Sequence, residues 1–161
     1  DERCAQALLA TWSVEPPVVD CCSPTGSALL DSLVRLGVNG RAASSLSETR
    51  GARWIVTNPP YSRPAVDSIA TDIVNRVILP RGDPLAVDGA ALLMRANWDF
   101  AASRAALFGN CTYAGQTRMR FRPWWSAERK AQPIHNYVWH VWMKRLDYRA
   151  EPVIRYWGEE K

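Results

Sequence analysis

The run Ile55-Val56-Thr57-Asn58-Pro59-Pro60-Tyr61-Ser62 places an amide, two prolines and a phenol directly after a short β-type segment. The Asn58 carbonyl oxygen can accept a hydrogen bond from an amino group. Pro59 and Pro60 stiffen the backbone beside it, because each ring fixes φ and removes a donor. Tyr61 offers a flat face on which another ring can stack. The combination suits a planar substrate that carries an amine. Trp54 to Thr57, immediately ahead, reads as a strand, so the amide is expected at a strand end.

These residues resemble the N-P-P-Y motif of S-adenosylmethionine-dependent amino-methyltransferases, and the chain looks most like the small phage-like DNA adenine-N6 methyltransferases. The resemblance implies that Asn58 and the Pro59 carbonyl hold the target amine, with Pro60 in the same rigid turn, while Tyr61 stacks on a flipped base. It implies S-adenosylmethionine as cofactor. It also implies an α/β, Rossmann-like class I methyltransferase fold, covering roughly residues 3 to 145 of a single methyltransferase-like domain, 1–161.

That pattern assigns elements along the chain. Cys4 to Leu9 resembles the end of a first helix, Val18-Val19-Asp20 the first strand, and Gly26 to Leu36 the helix beneath the cofactor. Ala65 to Leu79 has apolar residues at Val66, Ile69, Ala70, Ile73, Val74 and Val77, a helical period with one face for a sheet, and Pro64 suits its first turn. Ala90 to Arg95 resembles the next strand and Asp99 to Phe108 a helix. Arg118 to Pro123 and Tyr137 to Trp142 resemble a late antiparallel β-hairpin, the second member apolar on both faces and therefore central.

The cofactor side departs from the family. Class I enzymes carry an acid and then a glycine-rich loop; the matching run here is Asp20-Cys21-Cys22-Ser23-Pro24-Thr25-Gly26, with Pro24 at the first glycine position. Proline offers neither positive φ nor an N–H. Gly26 keeps its place, and the resemblance gives Asp20, Cys22, Gly26, Ser44 and Asn58 as cofactor contacts. Ser44 or Ser45 stands where a ribose-binding acid is expected after the second strand, with Glu48 the nearest carboxylate. Only 31 residues separate Gly26 from Asn58, whereas two strands, a helix and their loops usually take about 45. The second and third strand region must be shortened.

The 161 residues suffice for one sizeable core, and 47% hydrophobic residues fit a soluble globule. A separate target-recognition domain does not fit. The net charge of +4, from 20 basic against 16 acidic residues, permits a nucleic-acid partner without demanding one. Its distribution says more: Arg118, Arg120, Arg122, Arg129 and Lys130 fall within thirteen residues, interleaved with Phe121, Trp124 and Trp125. On a strand, period two sets the three arginines on one face and Met119 and Phe121 on the other. The arginine face either grips phosphates or is simply solvated, and the tryptophans either stack on bases or pack the fold. Trp98 either lines the adenine or cofactor pocket or closes a sheet edge.

His135 and His140 lack a Cys or carboxylate at ligand spacing, and Cys4, Cys21, Cys22 and Cys111 form no metal pattern, so no metal is expected. The cysteines read as reduced thiols of a cytoplasmic protein. No run approaches the roughly 20 apolar residues of a membrane span. Two functions remain open: methyl transfer from S-adenosylmethionine to the N6 amine of adenine, with DNA favoured over RNA or a protein amide as substrate, or a degenerate relative that binds nucleic acid or a protein partner.

Overall fold

Short apolar runs bounded by turn residues form the parallel half of a seven-stranded sheet in the computed structural model, which describes residues 1–23, 25–62, 65–124, 133–144 and 150–158. The strands are β1 (Val18–Asp20), β2 (Gly40–Ala42), β3 (Trp54–Thr57), β4 (Gly89–Arg95), β5 (Tyr113–Met119), β6 (Tyr137–Met143) and β7 (Val153–Trp157). Their spatial order is β2-β1-β3-β4-β6-β5-β7. The first four are parallel, and β6 runs antiparallel between β4 and β5. This is an α/β, Rossmann-like arrangement with a late antiparallel pair. The shortening falls where the 31-residue interval requires it. β2 has three residues, and a 3-10 turn at Leu46–Thr49 is the one helical element between it and β3.

Side-chain alternation along the strands sorts the helices onto two faces. Trp54 and Val56 pack with α1 (Arg3–Thr11) and α2 (Ala28–Arg35), whereas Ile55 packs with α3 (Ala65–Ile78) and Leu107 of α4 (Ala105–Phe108). Buried tryptophans also dock the layers through their N–H groups: Trp139 donates to the Cys4 carbonyl at 2.8 Å and Trp142 to the Leu107 carbonyl at 2.7 Å. Leu8 and Leu33, both fully buried, each contribute about 2 kcal/mol from removal of apolar area from water. β6 is buried through Trp142 on both faces, as its composition predicts.

Two elements differ from the sequence expectation. Asp99 to Phe108 is not one helix but 3-10 turns at Trp98–Phe100 and Ala102–Arg104 followed by the short α4. The break is at Ala101, which is extended, and it lets the buried Arg104 reach back to the Trp98 carbonyl and to Asp67. The strand expected at Arg118 to Pro123 lies earlier. β5 ends at Met119, so Arg118 alone of the three arginines is in it. Its first half, Ala114-Gly115-Gln116-Thr117, looks polar in sequence yet is buried, because Thr117 accepts the Trp12 indole N–H at 2.7 Å and meets the Thr11 hydroxyl at 2.7 Å. β7, which pairs parallel with β5, is not foreseen by the sequence reading.

Candidate functional site

β1 and β3 are neighbours, and their C-terminal ends bring Asp20 beside Thr57 and Asn58. The buried Thr57 hydroxyl donates to Asp20 Oδ1 at 2.6 Å, the Cys22 N–H donates to the same oxygen at 3.2 Å, and Ser27 donates to Oδ2 at 2.6 Å. Ser27 Oγ in turn accepts the Leu30 N–H at 3.0 Å and caps α2. One carboxylate therefore ties the end of β1, the start of α2 and the strand that carries Asn58 into a single unit. With 1% of its surface exposed, Asp20 orders this loop from within.

Two features of the same edge leave room for a ligand and set a charge beside it. Gly26 has φ +93°, and a Cβ there would meet nothing within 4 Å, so a ligand can approach the loop backbone. Ala42 pairs with Asp20, so the segment after β2 lies at this edge as well. There Glu48 folds back to accept the Ser44 N–H at 3.0 Å and the Ser44 hydroxyl, bonds that lower the Glu48 pKa. An exposed, ionised carboxylate thus stands at the end of the second strand despite its displaced sequence position, with Ser44 as its anchor. Cys22 lies in the loop with its Sγ 4.0 Å from that of Cys21; the shared proton lowers Cys22 and raises Cys21. Pro24, the departure noted in the loop, lies outside the described residues, as does Pro64.

Asn58 and Tyr61 meet directly. The Tyr61 hydroxyl donates to Asn58 Oδ1, and the Leu93 carbonyl lies 3.2 Å from the same hydroxyl. Burial pushes the Tyr61 phenol up, so it stays a donor at neutral pH. Its ring packs at 5.6 Å against Tyr137, with the Arg95 guanidinium 5.3 Å from the ring centre. Pro59 is buried and Pro60 exposed beside them. A pocket of about 190 Å³ opens here between Tyr61, Arg95 and Trp98. Trp98 lines this pocket and is also buried against Phe108 and His140, with its N–H on Asp67 at 3.1 Å.

Along the same edge lies a larger groove of about 920 Å³. Arg118, Arg120, Arg122 and Trp124 all line it, although only the first is in a strand. Trp125, Arg129 and Lys130 lie outside the described residues. Sequence reasoning missed three contributors that folding supplies. Arg3 stacks 4.2 Å from the Phe121 ring centre, Phe100 is 82% exposed, and Tyr156 stands on β7 with Arg120 5.5 Å from its ring centre. The alternating run Val153-Ile154-Arg155-Tyr156-Trp157 was the available signal for β7.

Among the described residues, no group of three or more His, Cys, Asp or Glu is arranged to hold a metal ion, and no helix is long and apolar enough to cross a membrane. His140 is a core residue, its Nδ1 3.1 Å from the Tyr113 hydroxyl.

No protein-family model matches the chain, and no curated protein matches it in sequence. Among solved structures, it is similar to a protein of Pyrococcus horikoshii described as a candidate RNA methyltransferase, at 11% identity and a TM-score of 0.46. The likeness covers 84% of this chain and 66% of that one, so this chain spans a little under two thirds of the other's length.

Proposed function

We propose that this protein transfers a methyl group from S-adenosylmethionine to an exocyclic amine of a nucleobase, with the N6 amine of adenine in DNA as the preferred acceptor. The observation that carries the reading is the union of Asp20 and Thr57 at 2.6 Å, which anchors the Asn58 motif beside the cofactor loop at the C-terminal edge of the sheet. Crevices at such edges are where open α/β sheets hold ligands.

When bound, S-adenosylmethionine supplies an electrophilic methyl on its sulfonium. The loop at Cys22 and Gly26, ordered by Asp20, would hold it together with Ser44, Glu48 and the neighbouring Asn58. An adenine amine is a poor nucleophile, because its lone pair is delocalised into the ring. Asn58 Oδ1 has two lone pairs, of which Tyr61 takes one. The other, with the Pro59 carbonyl, can accept the amine hydrogens and hold the nitrogen in a geometry that frees its lone pair for attack. Tyr61 thereby orients the amide that does the clamping, and a base that stacks on its ring must displace Arg95.

A second reading rests on Asp20, whose oxygens are already taken up by Thr57, Ser27 and Cys22. In that reading the loop is a structural relic, and the protein binds nucleic acid or a partner subunit without turnover. Calorimetric titration with S-adenosylmethionine separates the two, with adenosine and methionine as controls. Saturable one-site binding, and transfer of labelled methyl to adenine-containing DNA that falls about a hundredfold in Asn58→Ala, is the expected result. Absence of binding at millimolar ligand would favour the second reading.

A further inference from the structure

The groove beyond Tyr137 carries charge and exposed rings in one arrangement. Among the described residues none of those lining it is acidic, and they include four arginines: Arg3, Arg118, Arg120 and Arg122. The nearby Asp1 carboxylate is committed to Arg3 at 2.7 Å and to the Trp124 N–H at 3.1 Å. Arg122 is braced by Asn136 Oδ1 at 3.0 Å, and the exposed Arg118 guanidinium makes no hydrogen bond or ion pair among the described residues, with Asp99 the carboxylate that feels its charge. Such a surface is complementary to an anion. The rings decide which kind, since Phe100 is 82% and Tyr156 55% exposed. Surface rings flanked by guanidinium groups suit a ligand that alternates flat rings with negative charges.

The register places this groove on the reactive edge. Arg95 pairs with Tyr137 across β4 and β6, and Arg118 with Val138 across β5 and β6. Tyr137 lines the groove while its ring packs 5.6 Å from that of Tyr61. A chain lying in the groove therefore ends beside the Asn58 motif. At about 920 Å³ the space matches a few nucleotides and is at the upper end of compact ligand sites. A duplex keeps its base faces stacked inside and has none to offer to Phe100 or Tyr156.

We infer that this groove binds a single-stranded nucleic-acid segment, with its phosphates on Arg118, Arg120 and Arg122 and its unpaired bases on Phe100 and Tyr156, and leads it past Tyr137 to Asn58. Delivery to Asn58 rests on the methyl-transfer reading; binding in the groove does not. The acceptor base is then met in a strand that is already open, and no duplex need be parted at this surface.

Fluorescence anisotropy of the full chain tests this, with a short labelled adenine-containing single strand and the duplex made from it, in the absence of S-adenosylmethionine. The single strand should bind about tenfold or more tightly than the duplex, and its affinity should fall with salt at a log–log slope of about −2 for three phosphate contacts. Phe100→Ala with Tyr156→Ala, both at exposed positions, should weaken it about tenfold or more, and Val34→Ala, at an exposed position of α2 that does not line the groove, should leave it unchanged. Equal or tighter duplex binding, or indifference to the ring substitutions, would overturn the inference. So would failure to bind either probe, which would leave this face to a protein partner. Single-strand binding that depends on the rings, but without methyl transfer to that strand, would sink the catalytic reading and leave the groove intact.

Discussion

Asn58 is held by Tyr61 as much as by the prolines beside it. The phenol is pushed up by burial and sits against Asn58 Oδ1, so it acts as a fixed donor that selects one orientation of the amide. Removing only that donor tests the coupling. Tyr61→Phe keeps the ring packed on Tyr137 and should cost about 1 kcal/mol, read from the urea midpoint, since one hydrogen bond is lost without creating a cavity. If the amide orientation matters for transfer, kcat should fall about tenfold with little change in KM. An unchanged kcat would mean that the prolines alone hold Asn58 in place.

At the scale of elements, the edge of the sheet depends on one backbone position in β5. Gly115 has φ +135°, and a Cβ there would overlap the backbone of Val153 in the adjacent β7. The register shift between Tyr113 and Gly115 lies at the same point, so the glycine lets the bulged strand turn and accept β7 alongside it. Gly115→Ala forces both a strained φ and a backbone collision, and should cost about 2–3 kcal/mol. A fall in Tm of about 5–10 °C is the expected readout. Because β7 carries Tyr156 into the groove, the same variant should also weaken single-strand binding; a stable variant with full affinity would show that β7 does not pack as described.

For the whole molecule, the two α-helical layers meet the sheet through a core that includes a neutral histidine. Burial lowers the His140 pKa from 6.5 to about 3, assisted by the positive charge of Arg118. The unfolded chain therefore takes up a proton between these values that the folded chain does not. Stability from this residue is fully present above pH 6.5 and is lost as pH falls towards 3, with a slope of up to about 1.4 kcal/mol per pH unit. Urea unfolding across that window should show the slope, and His140→Gln should flatten it relative to the parent. A parent and variant with parallel pH profiles would place the histidine's proton uptake elsewhere.

Much of this was legible one segment at a time. β1 and β3 fall at the residues predicted, since short β-branched runs bounded by turn residues have few alternatives, and α3 begins at Ala65 as its apolar spacing requires. The placement of Asn58 to Tyr61 directly after β3 was legible for the same reason, since the four residues are consecutive. What was not legible depends on contacts distant in sequence. The burial of Thr117 needs Trp12, 105 residues away, and the position of β7 needs the bulge at Gly115. The helix expected from Asp99 yields to Arg104, which reaches Asp67 across 37 residues. The carboxylate after β2 has the same character, because only the turn at Leu46–Thr49 swings Glu48 back to Ser44. Local pattern by itself determined β1, β3 and α3 and the run of residues that follows β3, because backbone preference and hydrophobic period act over a few residues. Tertiary structure alone decided which side chains share an edge, because hydrogen bonds and packing between remote segments carry no local signature.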